Sequence, residues 1–440
     1  MNILQLSTYD RAGGAEKVAF DLHHAYRKLG HDARLLVRYK KTNASHVIEA
    51  DPYAGTSPWA PFTEALDQHI AQQKNFRGQY RLRDWLQRTA WPQRWVDTWQ
   101  GIENFNYPYS YSILDDDGWQ PDVIHAHNLH GDYFDLRALA PLSHQTRFTW
   151  TLHDTWALTG HCGYFIDCGR WRTGCGQCPD LKRAPAIRQD GTAENWQRKQ
   201  QIYAQSRLAV VTPSRWLMEH VEHSMLQPSQ QRVIPNGVDI TIYHPGVRQQ
   251  ARAALGLSQT AFICMLIAYS ASTTNIYKDV TTIDRAVRNV AANRPDSELL
   301  CVCVGANDGS AADPLLHYTG YLADPEQIAL YYQAANVLLH AANAENFPCV
   351  ILEALACGTS IIATAVGGIP EQIVDGITGF LVPRGDSDAM AHHIAYLIEH
   401  PEQCEKIGHA AALHAQQNFS LERQAATYLQ WFEECQRLEF

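Results

Sequence analysis

Short apolar runs alternate with amphipathic stretches along most of the chain. In the first half, the runs that predict strands are 3–6, 123–126, 148–152, 208–211 and 232–234. In the second half they are 262–267, 299–304, 337–339 and 360–363. Short apolar strands separated by helical stretches are typical of βαβ units with parallel, buried strands. The pattern therefore predicts an α/β fold.

Turn-forming residues near the middle of the chain mark a boundary between two lobes. Proline and glycine cluster at 235–239 and again at 244–246, where such residues favour turns over helices and strands. A chain of 440 residues also suits two large lobes, since domains average about 150 residues. We predict an N-terminal lobe over 1–240 and a C-terminal lobe over 241–420.

Three segments depart from the alternating pattern. They are an insertion at about 59–119, a cysteine-rich loop at 160–180 and a C-terminal helix at about 421–440, which is a candidate to pack back on the N-terminal lobe. Within the insertion, basic and aromatic residues alternate from Lys74 to Arg94, with Asp84 as the single acid. Such a stretch could contact anionic lipid headgroups or a phosphate-bearing acceptor. A helical subdomain with inward-facing aromatics and solvated arginines is the alternative.

The composition is that of a globular protein with no general affinity for nucleic acid. With 45% hydrophobic and 19% charged residues, the chain can bury a large core. With a net charge of -10, the chain lacks the excess of positive charge that binding to the phosphate backbone of a nucleic acid requires. No apolar run reaches the ~20 residues of a membrane span, and the first residues do not resemble a secretory signal. We expect a cytoplasmic protein, with the inner face of the membrane as a candidate location.

Polar residues that follow predicted strands are candidates for a site in the N-terminal lobe. Gly13 and Gly14 lie between the first strand and a helix, where free N–H groups and the helix dipole favour phosphate. The GxGxxG dinucleotide motif is absent, which argues against a nicotinamide or flavin cofactor. His153 follows a later strand, at the sheet edge where ligands gather.

Two glutamates in the C-terminal lobe give the strongest chemical signal. Pro348 suits the first position of a helix, so Glu345 should lie on the preceding loop and Glu353 inside the helix. The free N–H groups of the first turn could bind a diphosphate. Glu345 could then reach a group beyond the diphosphate, and Glu353 could accept hydrogen bonds from nucleoside hydroxyls.

These motifs together resemble retaining GT-B glycosyltransferases of family four. The resemblance lies in the runs 345–358, 366–371 and 375–383, and it extends to Gly13-Gly14, to Pro213-Ser214 and to the turn at 235–239. It implies two Rossmann-like lobes with parallel sheets that face each other across an interlobe cleft. The C-terminal lobe would bind a UDP- or GDP-sugar, and the N-terminal lobe a glycan or lipid-linked acceptor.

The resemblance also assigns roles to individual residues. Glu345, His153 and Lys278 would be catalytic. The donor-binding residues would be Gly13, Gly14, Lys278, Asn346, Phe347, Pro348, Cys349 and Glu353. The sugar would be transferred with retention of configuration, by attack on the face from which the diphosphate departs, with no metal needed because side-chain cations and helix dipoles stabilise the leaving group.

One position departs from the family pattern. Family members usually place an arginine five or six residues before a Lys-Gly pair, and both basic side chains neutralise the diphosphate. Here Ser272 and Thr273 stand where that arginine is expected, and Lys278 is followed by Asp279. We therefore expect Lys278 to carry the charge alone.

Two clusters are candidates for a metal. Four thiolates from Cys162, Cys168, Cys175 and Cys178 could form a tetrahedral structural zinc site, whereas reduced or disulfide-bonded cysteines are the alternative. The acids at 115–117 precede a turn in the N-terminal lobe, and we interpret them as a solvated turn and not as a metal-binding DxD. The cysteines at 264, 301, 303 and 357 lie in apolar runs and should be core residues.

The sequence thus predicts a glycosyltransferase of polysaccharide or glycolipid biosynthesis that needs no cofactor for catalysis. An epimerase or phosphorylase of the same fold, or a non-catalytic nucleotide-sugar-binding protein, remains an alternative. Product analysis with and without an acceptor distinguishes these functions.

Overall fold

The computed structural model describes residues 1–51, 62–63, 65–66, 69–70, 79, 82, 85, 92–115, 118–267, 275–305 and 313–437. They form two compact units. The first comprises Met1–Thr212, Met218–Arg232 and Gln430–Phe440, and the second comprises Pro213–Leu217 and Val233–Leu429. Most of the basic and aromatic residues between 74 and 94, together with Asp116, Asp117, Ser272 and Thr273, lie outside the described residues.

The first unit is built on a seven-stranded sheet. Its strands are β1 (Asn2–Tyr9), β2 (Asp32–Tyr39), β3 (Val47–Glu49), β4 (Val123–Ala126), β5 (Arg147–Thr151), β6 (Leu208–Thr212) and β7 (Gln230–Val233). They lie in the order β3-β2-β1-β4-β5-β6-β7, and the pairs from β3 to β6 are parallel. The helices of this part of the chain are α1 (Gly14–Lys28), α2 (Pro92–Gln100), α3 (Leu139–Gln145), α4 (Thr192–Ala204) and α5 (Arg215–Glu222).

The second unit contains a six-stranded parallel sheet. Its strands are β8 (Phe262–Ile267), β9 (Leu299–Val304), β10 (Leu316–Tyr318), β11 (Val337–His340), β12 (Ser360–Thr364) and β13 (Phe380–Val382), in the order β10-β9-β8-β11-β12-β13. The helices are α6 (Arg248–Leu255), α7 (Val280–Asn293), α8 (Pro325–Ala334), α9 (Cys349–Ala356), α10 (Ser387–Glu399), α11 (Pro401–Asn418) and α12 (Leu421–Arg437). The last residues of α12 belong to the first unit.

Both faces of the second sheet are buried. Along β8, Ile263 and Met265 enter one apolar cluster, while Cys264 and Leu266 enter another. Successive side chains of a strand point to opposite faces, so the two clusters cover the two sides of the sheet, as parallel sheets require. The cysteines predicted to be core residues, at 264, 301, 303 and 357, are all buried.

Every predicted strand is present, and four further strands were not predicted. Three of these, β3, β10 and β13, have only three residues each. In β2, the charged residues Arg34 and Arg38 interrupt the apolar pattern. The strand accommodates them because their guanidinium groups lie over the rings of Trp119 and Tyr39. Short strands and stacked arginines give too weak an apolar signal to be recognised in sequence.

The strand order reverses once in each sheet, between β1 and β4 and between β8 and β11. Open α/β sheets bind their ligands beyond the carboxyl ends of the strands at such a reversal. The loops that follow these four strands are therefore the places to examine for a site.

Candidate active site

Glu345 and Lys278 meet beyond the carboxyl ends of β8 and β11. Glu345 lies on the loop between β11 and α9, and Lys278 lies just before α7. The Nζ atom of Lys278 donates to Oε2 of Glu345 at 2.5 Å. The carboxylate is 16% exposed and the lysine 40%, so the pair sits at the surface of the unit and not in its core.

Backbone hydrogen bonds place Lys278 beside this loop. Asp279 N–H donates to the carbonyl of Ala341 at 3.1 Å, and Asn343 N–H donates to that of Tyr277 at 2.8 Å. The carboxylate of Asp279 also caps α7, accepting from the N–H of Thr282 at 3.1 Å. The residue that departs from the family's Lys-Gly pattern therefore gives α7 a side-chain cap that glycine lacks.

The electrostatics of the site keep Glu345 ionised. Burial alone would raise the pKa of Glu345, but the ammonium of Lys278 and the smaller effects of His340 and of the Asn346 N–H together outweigh burial and hold this pKa below its usual value. His340, the last residue of β11, has its Nε2 atom 4.0 Å from Oε2 of Glu345. Burial and the Lys278 charge lower the pKa of His340 to about 3, so this ring is neutral.

Sequence reasoning did not assign a role to His340. Among the described residues its Nε2 atom is buried and has no hydrogen-bond partner. Its position in the sequence could have indicated a role, since a polar residue at the end of an apolar strand lies at the sheet edge where ligands bind.

A glycine turn supports the backbone of Glu345. Gly367 has a φ of +58°, and a Cβ atom there would lie 1.7 Å from the carbonyl oxygen of Glu345. At Gly368 a Cβ would lie 2.4 Å from the carbonyl oxygen of Asn346. The turn that follows β12 thus packs directly on the glutamate loop, and only glycine allows this approach.

Helix α9 begins one residue later than predicted. Pro348 is its N-cap, with an extended backbone, and Cys349 is the first helical residue. The expectation that Pro348 is the first helical residue was wrong, because its ψ of 128° is not helical. Glu345 lies on the preceding loop and Glu353 inside the helix, as predicted.

The side chains of Asn346 and Phe347 support the fold of the loop. Oδ1 of Asn346 accepts from the hydroxyl of Ser214 at 2.6 Å. Phe347 is 4% exposed and packs edge-on against Phe419. The ring of Phe347 is thus part of the core, and the assignment of Phe347 to donor binding stays a prediction.

Glu353 is a buried carboxylate within α9. It is 5% exposed, and its Oε2 atom accepts from the hydroxyl of Tyr332 at 2.9 Å. Tyr332 is a core residue on α8 and was not predicted as part of the site. It fixes the orientation of the carboxylate for which the sequence predicts contacts with nucleoside hydroxyls.

In the first unit, a carboxylate in the first turn of α1 contacts the loop after β1. Gly13 is the N-cap of α1, and its N–H donates to Oε2 of Glu16 at 3.0 Å. The other oxygen of Glu16 accepts from Asn128 at 3.4 Å. Glu16 therefore competes with any phosphate for the Gly13 N–H. A Cβ at Gly14 would meet nothing within 4 Å. Sequence reasoning missed Glu16, although a glutamate three residues after an N-cap marks a capping box.

His153 follows β5 and belongs to a group of histidines. Its Nε2 atom lies 3.0 Å from Nδ1 of His127, the residue after β4. Burial lowers the pKa of His153 to about 4 and that of the neighbouring His125 to about 3. His153 is thus a neutral hydrogen-bonding group at physiological pH and not a cation.

His130 and Asp154 form an ion pair that sequence reasoning missed. Nε2 of His130 lies 3.0 Å from Oδ2 of Asp154. Burial would lower the pKa of His130, but Asp154, together with a smaller effect of Glu16, outweighs burial and raises this pKa above its usual value. The two residues are 24 positions apart, so nothing local in the sequence indicates the pair.

The four cysteines of the 160–180 loop lie around one small pocket, with His161, Phe165 and Trp171. All four are free thiols. Among the described residues, no group of three or more His, Cys, Asp or Glu side chains is already arranged to hold a metal ion. The four predicted zinc ligands therefore line one pocket, but their sulfur atoms do not surround a common metal position in this structure.

The chain belongs to glycosyltransferase family 4. The family model described as Glycosyltransferase Family 4 matches residues 12–242, and the model described as Glycosyl transferases group 1 matches residues 270–414. The predicted family is thus confirmed.

Two curated relatives illustrate the range of the family. A D-inositol 3-phosphate glycosyltransferase from Arthrobacter sp. is 33% identical over 238 residues, which are 51% of this chain and 55% of the relative. The chain thus matches about half the length of that relative. The putative colanic acid biosynthesis glycosyl transferase WcaC from Escherichia coli is 26% identical over 83% of each chain.

Solved structures confirm the predicted GT-B fold. Sucrose-phosphate synthase from Thermosynechococcus elongatus superposes with a TM-score of 0.65 at 19% identity, covering 99% of this chain and 98% of that one. Anabaena HepE, solved in complex with UDP-glucose, superposes with a TM-score of 0.61 at 18% identity, covering 98% and 99%. Within the described part of the chain, no helix has the length and apolar composition to cross a membrane.

Proposed function

We propose that this chain transfers a sugar from a nucleoside-diphosphate sugar to a hydroxyl group of a glycan or lipid-linked acceptor, with retention of anomeric configuration. The observation that carries the proposal is the Lys278–Glu345 pair at the carboxyl edge of the second sheet, next to the start of α9. A cation, a helix N-terminus and an ionised carboxylate at one place suit a diphosphate that is joined to a sugar.

Each group has a defined part in donor binding. The N–H groups of the first turn of α9 and the ammonium of Lys278 bind the diphosphate and stabilise its charge as it departs. Glu345 accepts hydrogen bonds from sugar hydroxyls, for which its ionised state is required. Glu353 accepts from the ribose. These protein charges take the place of a metal ion at the diphosphate.

The acceptor binds to the first unit. His153 is the proposed catalytic residue there, and as a neutral ring it donates or accepts a hydrogen bond without adding charge. The similarity to WcaC over most of the chain supports an acceptor in surface-polysaccharide or glycolipid assembly. A lipid-linked acceptor would bring the enzyme to the inner face of the membrane, where the basic and aromatic residues between 74 and 94 are candidates for contact.

Donor consumption by Glu345→Ala tests the proposal. We expect the wild-type chain to release nucleoside diphosphate from its donor, and the variant to lose at least about 100-fold in kcat/KM because it lacks a contact to the reacting sugar. The control is Glu326→Ala, which removes an exposed carboxylate of the same unit and should leave turnover unchanged. Proton NMR of the first-formed product reports its anomeric configuration.

Two outcomes contradict the proposal. Undiminished turnover by Glu345→Ala would remove the glutamate from the reaction. An epimerised nucleotide sugar formed without acceptor would assign the chain to a different reaction class.

A further inference from the structure

The connection between β5 and α4 is unusually long for an α/β unit. Residues 152–191 contain only two single turns of 3-10 helix, Trp156–Leu158 and Arg170–Arg172. Its own small core is the stacked pair of Phe165 and Trp171, whose ring centroids lie 5.0 Å apart. Connections in α/β units are usually two to six residues long, so about forty residues with so little regular structure call for an internal cross-link.

The four cysteines of this loop lie around one pocket. Cys162 and Cys168 precede the 3-10 turn Arg170–Arg172, Cys175 and Cys178 follow it, and all four line the same pocket. The N–H of Gly160 donates to Sγ of Cys175 at 3.3 Å. His161 Nε2 lies 3.4 Å from Sγ of Cys178.

The backbone around Cys175 is held in an unfavourable conformation. Gly174, Cys175, Gly176 and Gln177 have consecutive φ values of +124°, +54°, +81° and +46°. Two of these residues, Cys175 and Gln177, carry side chains, which disfavour this left-handed region. The turn directs Cys175 and Cys178 into one pocket, so a bound group there would offset the strain.

We propose that Cys162, Cys168, Cys175 and Cys178 bind one zinc ion through their four sulfur atoms. Binding requires the cysteine side chains, which line one pocket, to rotate until the four sulfur atoms surround a common centre. Each thiol gives up its proton to solvent as its Zn–S bond forms. Four sulfur ligands leave no open position, so the ion is structural.

The zinc site supports the turn that carries His153. The carbonyl of Gly163, next to Cys162, accepts from the N–H of Thr155 at 2.7 Å and from its hydroxyl at 2.8 Å. The hydroxyl of Tyr164 donates to the carbonyl of His153 at 3.4 Å. Fixing the cysteine loop thus fixes the backbone around His153.

Metal analysis of the intact chain tests the site. Protein purified under reducing conditions from zinc-supplemented cells should contain one zinc per chain by plasma mass spectrometry. Cys175→Ser and Cys178→Ser should each lose most of it. Cys435→Ser, which alters a buried cysteine outside the loop, should keep it. Replacement by cobalt should give the intense visible bands of tetrahedral thiolate coordination.

Several results would overturn the proposal, and none depends on enzymatic activity. The first is wild-type protein that neither contains nor takes up zinc, or that contains iron in its place. The second is an undiminished zinc content in both loop variants. The third is a denatured chain with four fewer reactive thiols than its eleven cysteines, which would indicate two disulfides. If a serine variant fails to fold, the cobalt spectrum of the wild type decides.

Discussion

At the scale of single residues, the Lys278–Glu345 pair sets the charge of the proposed donor site. Lys278 is the cation that contacts the ionised glutamate, and backbone hydrogen bonds from Asp279 and Asn343 hold its segment in place. The pair is partly exposed, so its contribution to folding stability is small. Its proposed role is in ligand binding, where an ammonium close to a diphosphate forms charge-assisted hydrogen bonds.

Lys278→Met should weaken binding of the nucleoside diphosphate. Hydrogen bonds to charged groups contribute about 1.5–3 kcal/mol, so we expect the Kd to rise roughly 10- to 100-fold. Isothermal titration with UDP and GDP measures this change. Lys406→Met, at an exposed position on α11, is the control and should bind like the wild type. Equal affinity in the two variants would show that Lys278 does not contact the diphosphate.

The His130–Asp154 pair should make stability depend on pH. The pKa of His130 is raised in the folded chain, so its stabilisation is complete below the unfolded pKa of about 6.5 and is lost as the pH rises through the folded pKa. We expect His130→Gln to lower the free energy of unfolding by about 1 kcal/mol at pH 6, and by clearly less at pH 9.

Urea unfolding at the two pH values measures this difference. His144→Gln, which alters an exposed histidine of the same unit, should give the same small effect at both. An equal loss for His130→Gln at pH 6 and pH 9 would contradict a charged pair.

At the scale of elements, the loop before α9 depends on the turn after β12. Both follow adjacent parallel strands, and the turn has no Cβ atoms where it meets the loop. The sequence motifs contain Gly367, Gly368, Glu345 and Glu353. They do not show that the turn after β12 supports the loop before α9, because this contact forms only when β11 and β12 pair.

Gly367→Ala should displace Glu345 and reduce turnover by about 100-fold, as expected when a reacting group moves by about 1 Å. Gly376→Ala is the matched control. Gly376 also has a positive φ, +71°, but a Cβ there meets nothing within 4 Å. Both variants carry the cost of a left-handed residue, roughly 1–2 kcal/mol, which thermal unfolding measures. Similar kcat values for the two variants would contradict this role of the turn.

At the scale of the whole molecule, the sequence predicted the architecture better than the details of the site. The apolar strands and the motifs of the C-terminal unit were sufficient for the fold and family, because buried parallel strands leave a strong apolar signal. Glu16, His130, His340 and Tyr332 could not be assigned in the same way. The groups they lie beside are Gly13, Asp154, Glu345 and Glu353, in that order, and the last three contacts require the folded topology.

The most direct test of the account is thermal unfolding of the wild-type chain with a panel of nucleoside diphosphates and their sugar conjugates. A ligand at a hundred times its Kd adds about 2.7 kcal/mol to stability. We predict selective stabilisation by one base and its sugars, and its loss in Glu353→Ala. If no member of the panel stabilises the chain, or if Glu353→Ala responds like the wild type, the proposed donor site is contradicted.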